Sequence, residues 1–158
     1  MTEITVYTDG AARGNPGNGG YGIIMISGKY RKEISQGFAY TTNNRMELMA
    51  VIVALENIKS VNANVTVFSD SRYVVDAINA GWLKSWEIRH FKNIKNPDLW
   101  MRFLKVYRLH KIKFVWIEGH AGNPFNELCD KMAVEASMQT NLPEDKGYMQ
   151  SIENNALL

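Results

Sequence analysis

The chain has 158 residues, 46% hydrophobic and 22% charged, the length and composition of one globular domain. A single cysteine, Cys129, excludes an internal disulfide framework and a cysteine-based zinc site. No apolar run nears the ~18 residues of a membrane helix, no leader pattern is read at the start, and a net charge of +2 alone argues for neither nucleic acid nor membrane. The expectation is a reduced, cytoplasmic protein.

Residues 3–8 alternate and are rich in β-branched side chains, predicting a strand that ends at Asp9-Gly10. Six of the twelve glycines then fall between Gly10 and Gly22. The G-x-G-x-x-G match at 17–22 is followed by a strand rather than a helix, so it reads as a hairpin loop and not a dinucleotide site. Strands are predicted over 21–27 and 30–40, completing an antiparallel meander. The period then becomes helical from Asn44 to Lys59. Residues 64–68 read as a strand closed by Ser69-Asp70, and 71–80 as a helix stopped by Gly81. Residues 82–96, rich in Trp, Lys and Asn, receive no assignment. Asn96-Pro97-Asp98 predicts a capped helix start, running to about Leu109. A fifth strand over 112–117, a loop from Gly119 to Asn123 and a helix to about Met138 follow.

The pattern βββ-α-β-α-α-β-α predicts an α/β fold. Its five-stranded mixed sheet has three antiparallel and two parallel strands, flanked by helices. One catalytic domain is expected over residues 1–140, with 141–158 a loosely ordered C-terminal tail.

Four acids are candidates for chemistry. Asp9 follows the first strand and Asp70 the fourth, so neighbouring strands would turn both carboxylates toward one crevice. The plainer reading of each is a cap, with Asp70 capping the helix at Ser71. Glu47 shares a helix face with Ala50, Val51, Ala54 and Ile58, where an unpaired charge is costly. The alternative is a capping box in Asn44-Arg45-Met46-Glu47. Asp130 lies at the edge of an apolar helix stripe. Converging carboxylates are stable chiefly around hard divalent cations, and oxygen-only donors select Mg²⁺ or Mn²⁺. His120, between Gly119 and Gly122, is a loop histidine that is either a proton shuttle or a bystander.

Charge is segregated. Residues 82–113 hold nine basic and two acidic residues, +7, which leaves −5 on the rest. Trp82, Trp86 and Trp100 share that stretch with Lys84, Arg89, Lys92 and Lys95. Cations interleaved with flat rings are the footprint of a nucleic-acid contact. A solvated helix face over core tryptophans is the alternative, and it suits Arg102, Lys105 and Arg108.

Together, YTDGAARGNPGNGGYG (7–22), TTNNRMELMAVIVALE (41–56), SDSRYVVDAI (69–78), DLW (98–100) and WIEGHAGNPFNELCDKMA (116–133) resemble the type 1 ribonuclease H family, close to bacterial ribonuclease HI. The resemblance implies an endonuclease that cuts the RNA strand of RNA–DNA hybrids with two Mg²⁺ ions, Mn²⁺ substituting, and leaves 5′-phosphate and 3′-hydroxyl ends. It places the metal ligands at Asp9, Glu47, Asp70 and Asp130, and the assisting histidine at His120. It places substrate contacts at Gly10, Asn15, Thr42, Asn43, Asn44 and Arg72. A basic protrusion falls on Trp82, Lys84, Trp86, Arg89, Lys92 and Lys95, shorter than in well-known bacterial relatives. A monomer with no membrane and no obligate protein partner is expected. A DNA-cutting enzyme of the same fold and a non-catalytic binder are the competing classes.

Overall fold

The computed structural model describes residues 2–156. The chain opens with β1 (Glu3–Gly14), β2 (Gly17–Ser27) and β3 (Tyr30–Thr41), then α1 (Asn43–Glu56) and β4 (Asn64–Ser69). Three helices follow, α2 (Arg72–Asn79), α3 (Trp82–Ile88) and α4 (Pro97–Tyr107). Strand β5 (Lys111–Trp116), α5 (Pro124–Ser137) and α6 (Lys146–Ala156) complete it. The sheet order is β3-β2-β1-β4-β5. Pairing is antiparallel across β1–β2 and β2–β3, and parallel across β1–β4 and β4–β5. The mixed α/β sheet expected from the pattern is therefore present.

The glycine-rich stretch is strand, not loop. β1 and β2 stay paired out to Gly14↔Gly17, leaving only Asn15 and Pro16 as the turn. The glycines serve packing. A Cβ on Gly10 would lie 2.4 Å from the Glu47 backbone nitrogen, and one on Gly22 would lie 2.4 Å from the Cys129 carbonyl oxygen. Gly10 and the Asp9↔Gly22 pair point to opposite faces. Missing side chains thus let α1 and α5 approach the two faces of the sheet. Gly22→Ala is expected to destabilise the fold by at least about 1–3 kcal/mol, because backbone must shift to admit the methyl. A lower denaturant midpoint with an unchanged slope checks it.

Helix α1 is buried on nearly all sides, from Arg45 to Leu55. The sheet covers it on one side and α4 on the other, where Trp100 and Phe103 are fully buried. Trp100 is therefore core, and of the three tryptophans considered for nucleic-acid contact it is removed from the surface. Asn96 precedes α4 in left-handed conformation (φ 58°) and makes no side-chain cap. Its side chain instead accepts from Arg45 and donates to the Tyr73 hydroxyl. Tertiary partners outbid the local cap expected there.

Helix α6 lies within the segment expected to be a loosely held tail. Ahead of it, Ala39 N–H donates to the Pro143 carbonyl, and Asp145 is 3% exposed. Asp145 accepts from Arg45 Nε (2.8 Å) and from the Thr41 hydroxyl (2.6 Å). Arg45 also holds Asp98 through two hydrogen bonds of 2.9 and 2.8 Å. Burial pushes the Asp98 carboxyl up, but the Arg45 hydrogen bonds and charge outweigh it and leave it lowered. Among the described residues, no helix is long and apolar enough to cross a membrane.

Candidate metal and nucleic-acid site

Register decides where the acids meet. Thr8 and Ser69 are the last partners in the parallel β1–β4 pair, so Asp9 and Asp70 follow side by side at the carboxyl end of that pairing, in the middle of the sheet. The close approach at Gly10 brings α1, and with it Glu47, to the same point. Carboxylate oxygens of Asp9, Glu47 and Asp70 all lie within 4.8 Å of one another. Asp130, on α5, stands outside that group, but its charge acts on Asp9.

The structure removes the plainer readings of two acids. Ser71 caps α2, accepting from Val74 N–H, so the Asp70 carboxylate is not the cap. Thr42 caps α1, accepting from Arg45 N–H. That places Arg45, not Glu47, at the third helical position, and the capping box is absent. A cap could not explain Glu47 in any case, since it is only 5% exposed.

The electrostatics are those of an unfinished site. Burial pushes the Asp9 carboxyl up to about 7; the charges of Asp70 and Asp130 add to this, while its bond from Glu47 and the Gly10 N–H oppose it. Glu47 is raised well above its ordinary value, first by burial and then by Asp9. Glu47 Oε2 is buried with no donor to satisfy it. Such a group is costly unless a proton or a cation relieves it. Three oxygen donors and an orphaned oxygen fit a hard divalent cation.

Beside the acids lies a polar face. Asn15 Oδ1 accepts from Asn43 N–H (3.1 Å), which ties the β1–β2 turn to the start of α1 and leaves the Asn15 amide NH₂ free. Asn44 is exposed next to it. Asn15, Thr42 and Asn44 line one wall of a cleft of about 610 Å³, which Lys95 and residues of α6 complete. The Gly10 N–H, considered for substrate contact, is bonded to Asp9 Oδ1 (2.9 Å). His120 is exposed on its loop with φ 56°, followed by Gly122 at φ 89°.

The basic segment is α3 and a chain of tight turns. His90, Phe91, Asn93 and Asn96 have positive φ, and the buried Phe91 anchors the turns. Lys84, Arg89, Lys92 and Lys95 are exposed. Trp82 is 47% exposed and Trp86 half-buried between Trp82 and Trp100. Arg102 and Arg108 are engaged with Glu56 and Glu87, as befits a solvated helix face. The sequence reading missed Arg45, the buried hub beneath this cleft. An arginine opening a long run of apolar helical positions, two residues before the equally anomalous Glu47, was the available signal.

A profile of the RNase H family matches residues 1–138. The chain belongs to the ribonuclease H family. It is 52% identical over 151 residues to the ribonuclease H of Rippkaea orientalis, covering 92% of each chain. Among solved structures it resembles LC9-RNase H1, described as a type 1 RNase H with the type 2 active-site motif. That match has a TM-score of 0.79 at 30% identity and covers 87% of this chain and 72% of that one. It also resembles LC11-RNase H1 in complex with RNA/DNA hybrid, with a TM-score of 0.63 at 30% identity over 84% and 95% of the two chains. Ribonuclease H enzymes are hydrolytic nucleases that use divalent metals, and the acid cluster is in keeping with that chemistry.

Proposed function

We propose that this ribonuclease H cuts the RNA strand of RNA–DNA hybrids with two Mg²⁺ ions, Mn²⁺ substituting, and leaves 5′-phosphate and 3′-hydroxyl ends. The convergence of Asp9, Glu47 and Asp70 around an unsatisfied buried oxygen carries this reading. The hybrid-bound LC11 relative supports the choice of duplex. Asp9, Glu47 and Asp70 would hold the ions, with Asp130 completing the set. Bound there, the ions supply an activated water and neutralise the charge that develops on the departing 3′-oxygen.

The protein's own groups do the rest. Amides of Asn43 and Asn44 read 2′-hydroxyls, the feature that separates RNA from DNA. Asn15 and Thr42 hold a phosphate of the DNA strand. Trp82 packs on that strand's sugars, with Trp86 supporting it, and Lys84, Arg89, Lys92 and Lys95 follow its phosphates. His120 moves a proton during turnover or product release, and its glycine neighbours let the loop shift. The enzyme acts as a monomer without a protein partner.

Cleavage of matched hybrid, duplex DNA and duplex RNA in Mg²⁺ tests the reading. Cutting of the RNA strand of the hybrid alone is expected, and cutting of plain duplex DNA would sink it. In the same assay His120→Ala is expected to slow turnover by about 10²-fold without abolishing it, the scale of one general acid or base. A wild-type rate would make His120 a bystander.

A further inference from the structure

Asp70 is gripped from a side the acid cluster does not explain. Trp116 ends β5 opposite Ser69, and its Nε1–H donates to the Asp70 backbone carbonyl at 3.1 Å. Three residues on, Gly119 lies so close that a Cβ there would sit 2.7 Å from Asp70 Oδ2. One short segment therefore touches Asp70 at its backbone and at its carboxylate.

The same indole has a second occupant. The Arg72 guanidinium lies 3.8 Å from the Trp116 ring centroid. Stacking on an aromatic face fixes the plane of a long, flexible side chain. The Arg72 side chain is 63% exposed, and its ion-pair contact is Asp76 at 3.9 Å, beyond hydrogen-bond reach. Among the described residues, none of its donors is engaged in a hydrogen bond, and no ion pair joins it to Asp9, Glu47 or Asp70. A cation two residues from Asp70 is thus stacked on an indole rather than paired with the acids. Were it to collapse onto them, it would compete with a divalent cation. Stacked and exposed, its fork of donors is instead open to two oxygens of one phosphate.

We propose that Trp116 is a positioning residue with two outputs: its ring N–H sets the backbone of Asp70, and its ring face presents Arg72 to a backbone phosphate of the RNA strand. This rests on the hybrid-cleaving reading above. It differs from a structural role because the two outputs separate in kinetics. The Asp70 contact acts on metal holding and turnover; the Arg72 contact acts on substrate affinity and its salt dependence.

The experiment is steady-state cleavage of one defined hybrid over series of Mg²⁺ and NaCl concentrations. Arg72→Gln is expected to raise KM about tenfold at low salt with kcat within about twofold, the scale of one charge-assisted contact. It should also flatten log(kcat/KM) against log[salt] by about one unit of slope, as for one lost phosphate contact. Trp116→Phe keeps a ring under Arg72 but lacks the N–H. It is expected to lower kcat about tenfold and to raise the half-saturating Mg²⁺ concentration, both in cleavage and in the Mg²⁺-induced rise of melting temperature measured without substrate, with the salt slope of wild type. An unchanged salt slope in Arg72→Gln overturns the phosphate contact. A Trp116→Phe protein with a lower melting temperature but wild-type kcat and Mg²⁺ dependence overturns the positioning role. If Trp116→Phe does not fold, Trp116→His restores a ring N–H, and wild-type values for Phe's two expected changes are its expected result; kcat and Mg²⁺ dependence both impaired in a folded His variant overturn the role. Wild-type failure to cut the hybrid would instead fault the functional reading itself, independently of these variants.

Discussion

Replacing Asp9 with Asn is expected to abolish cleavage and, in the metal-free protein, to raise stability above pH 7. Both follow from one carboxylate held where its charge is unwelcome. The Asp9 carboxyl is raised to about 7 in the fold, first by burial and then by Asp70 and Asp130. A group whose folded pKa lies above its unfolded value stabilises fully below the unfolded value, near 3.8. That stability is lost as pH rises through about 7. Metal-free wild type should therefore be less stable at pH 8 than at pH 5 by this contribution, on the order of 2–4 kcal/mol for a shift of this size. Asn keeps the shape and removes the charge, so its melting temperature should exceed that of wild type at pH 8 and fall less between the two pH values. Mg²⁺ should raise the wild-type melting temperature at pH 8 and do far less for Asp9→Asn, since a ligand that binds only the folded state stabilises it. Cleavage should fall by about three orders of magnitude or more, the scale for losing a group that organises transition-state charge. Melting curves with and without Mg²⁺, beside a single-turnover assay, check all of this. A variant that melts below wild type at pH 8, or cuts near its rate, would remove Asp9 from the metal set.

The second large effect lies at Arg45, away from the chemistry. Arg45→Met is expected to cost about 3–5 kcal/mol, because it leaves Asp145 buried and uncompensated beside Asp98. Arg45 and Asp145 are 2% and 3% exposed, and the Thr41 hydroxyl depends on the same Asp145 oxygen that Arg45 Nε binds. The triple variant Arg45→Met, Asp98→Asn, Asp145→Asn should recover much of the loss, since a neutral cluster no longer strands a buried charge. Truncation after Thr140 should also destabilise, as it strips Arg45 of its buried partner. Urea unfolding of the three proteins gives the comparison; a truncated chain as stable as the full one would show that the segment is only draped on the surface. Acid should weaken this network too. The lowered Asp98 carboxyl contributes stability above its unfolded value, lost as pH falls toward its folded one.

The Arg45 network and the acid cluster show the limits of reading along the chain. The five strands and their directions were legible because alternation, helical period and Gly or Pro punctuation are local signals, while α3, within the unassigned stretch 82–96, and α6 were not. Asp9 and Asp70 stood out because each follows an alternating run, and strand ends gather ligands. Asp70 does follow β4, whereas Asp9 lies within β1, just past the point where its pairing with β4 stops. Their neighbouring placement required the β1–β4 register. Glu47 was legible only as an anomaly, an acid among apolar positions. The cap that competed for it was settled when Thr42 took the helix start. Asn96 misled for the reverse reason: its local signature was sound, but Arg45 and Tyr73 took its side chain.

The sequence by itself determined the class of fold, the segregation of charge and the four acids, through residue types and spacings that act within a few neighbours. It also carried the motifs on which family membership rests. Tertiary structure alone decided which acids touch, what the glycines are for, and that Asp145 is fastened to Arg45 beneath the cleft lined by α6. These depend on close approach between segments far apart in the chain, as between Gly22 and Cys129, or between Thr41 and Asp145, 104 residues apart. The +2 net charge that excluded nothing at the outset reads differently in three dimensions. Exposed lysines on the turns after α2 stand apart from buried carboxylates whose mutual repulsion only a cation or a proton relieves.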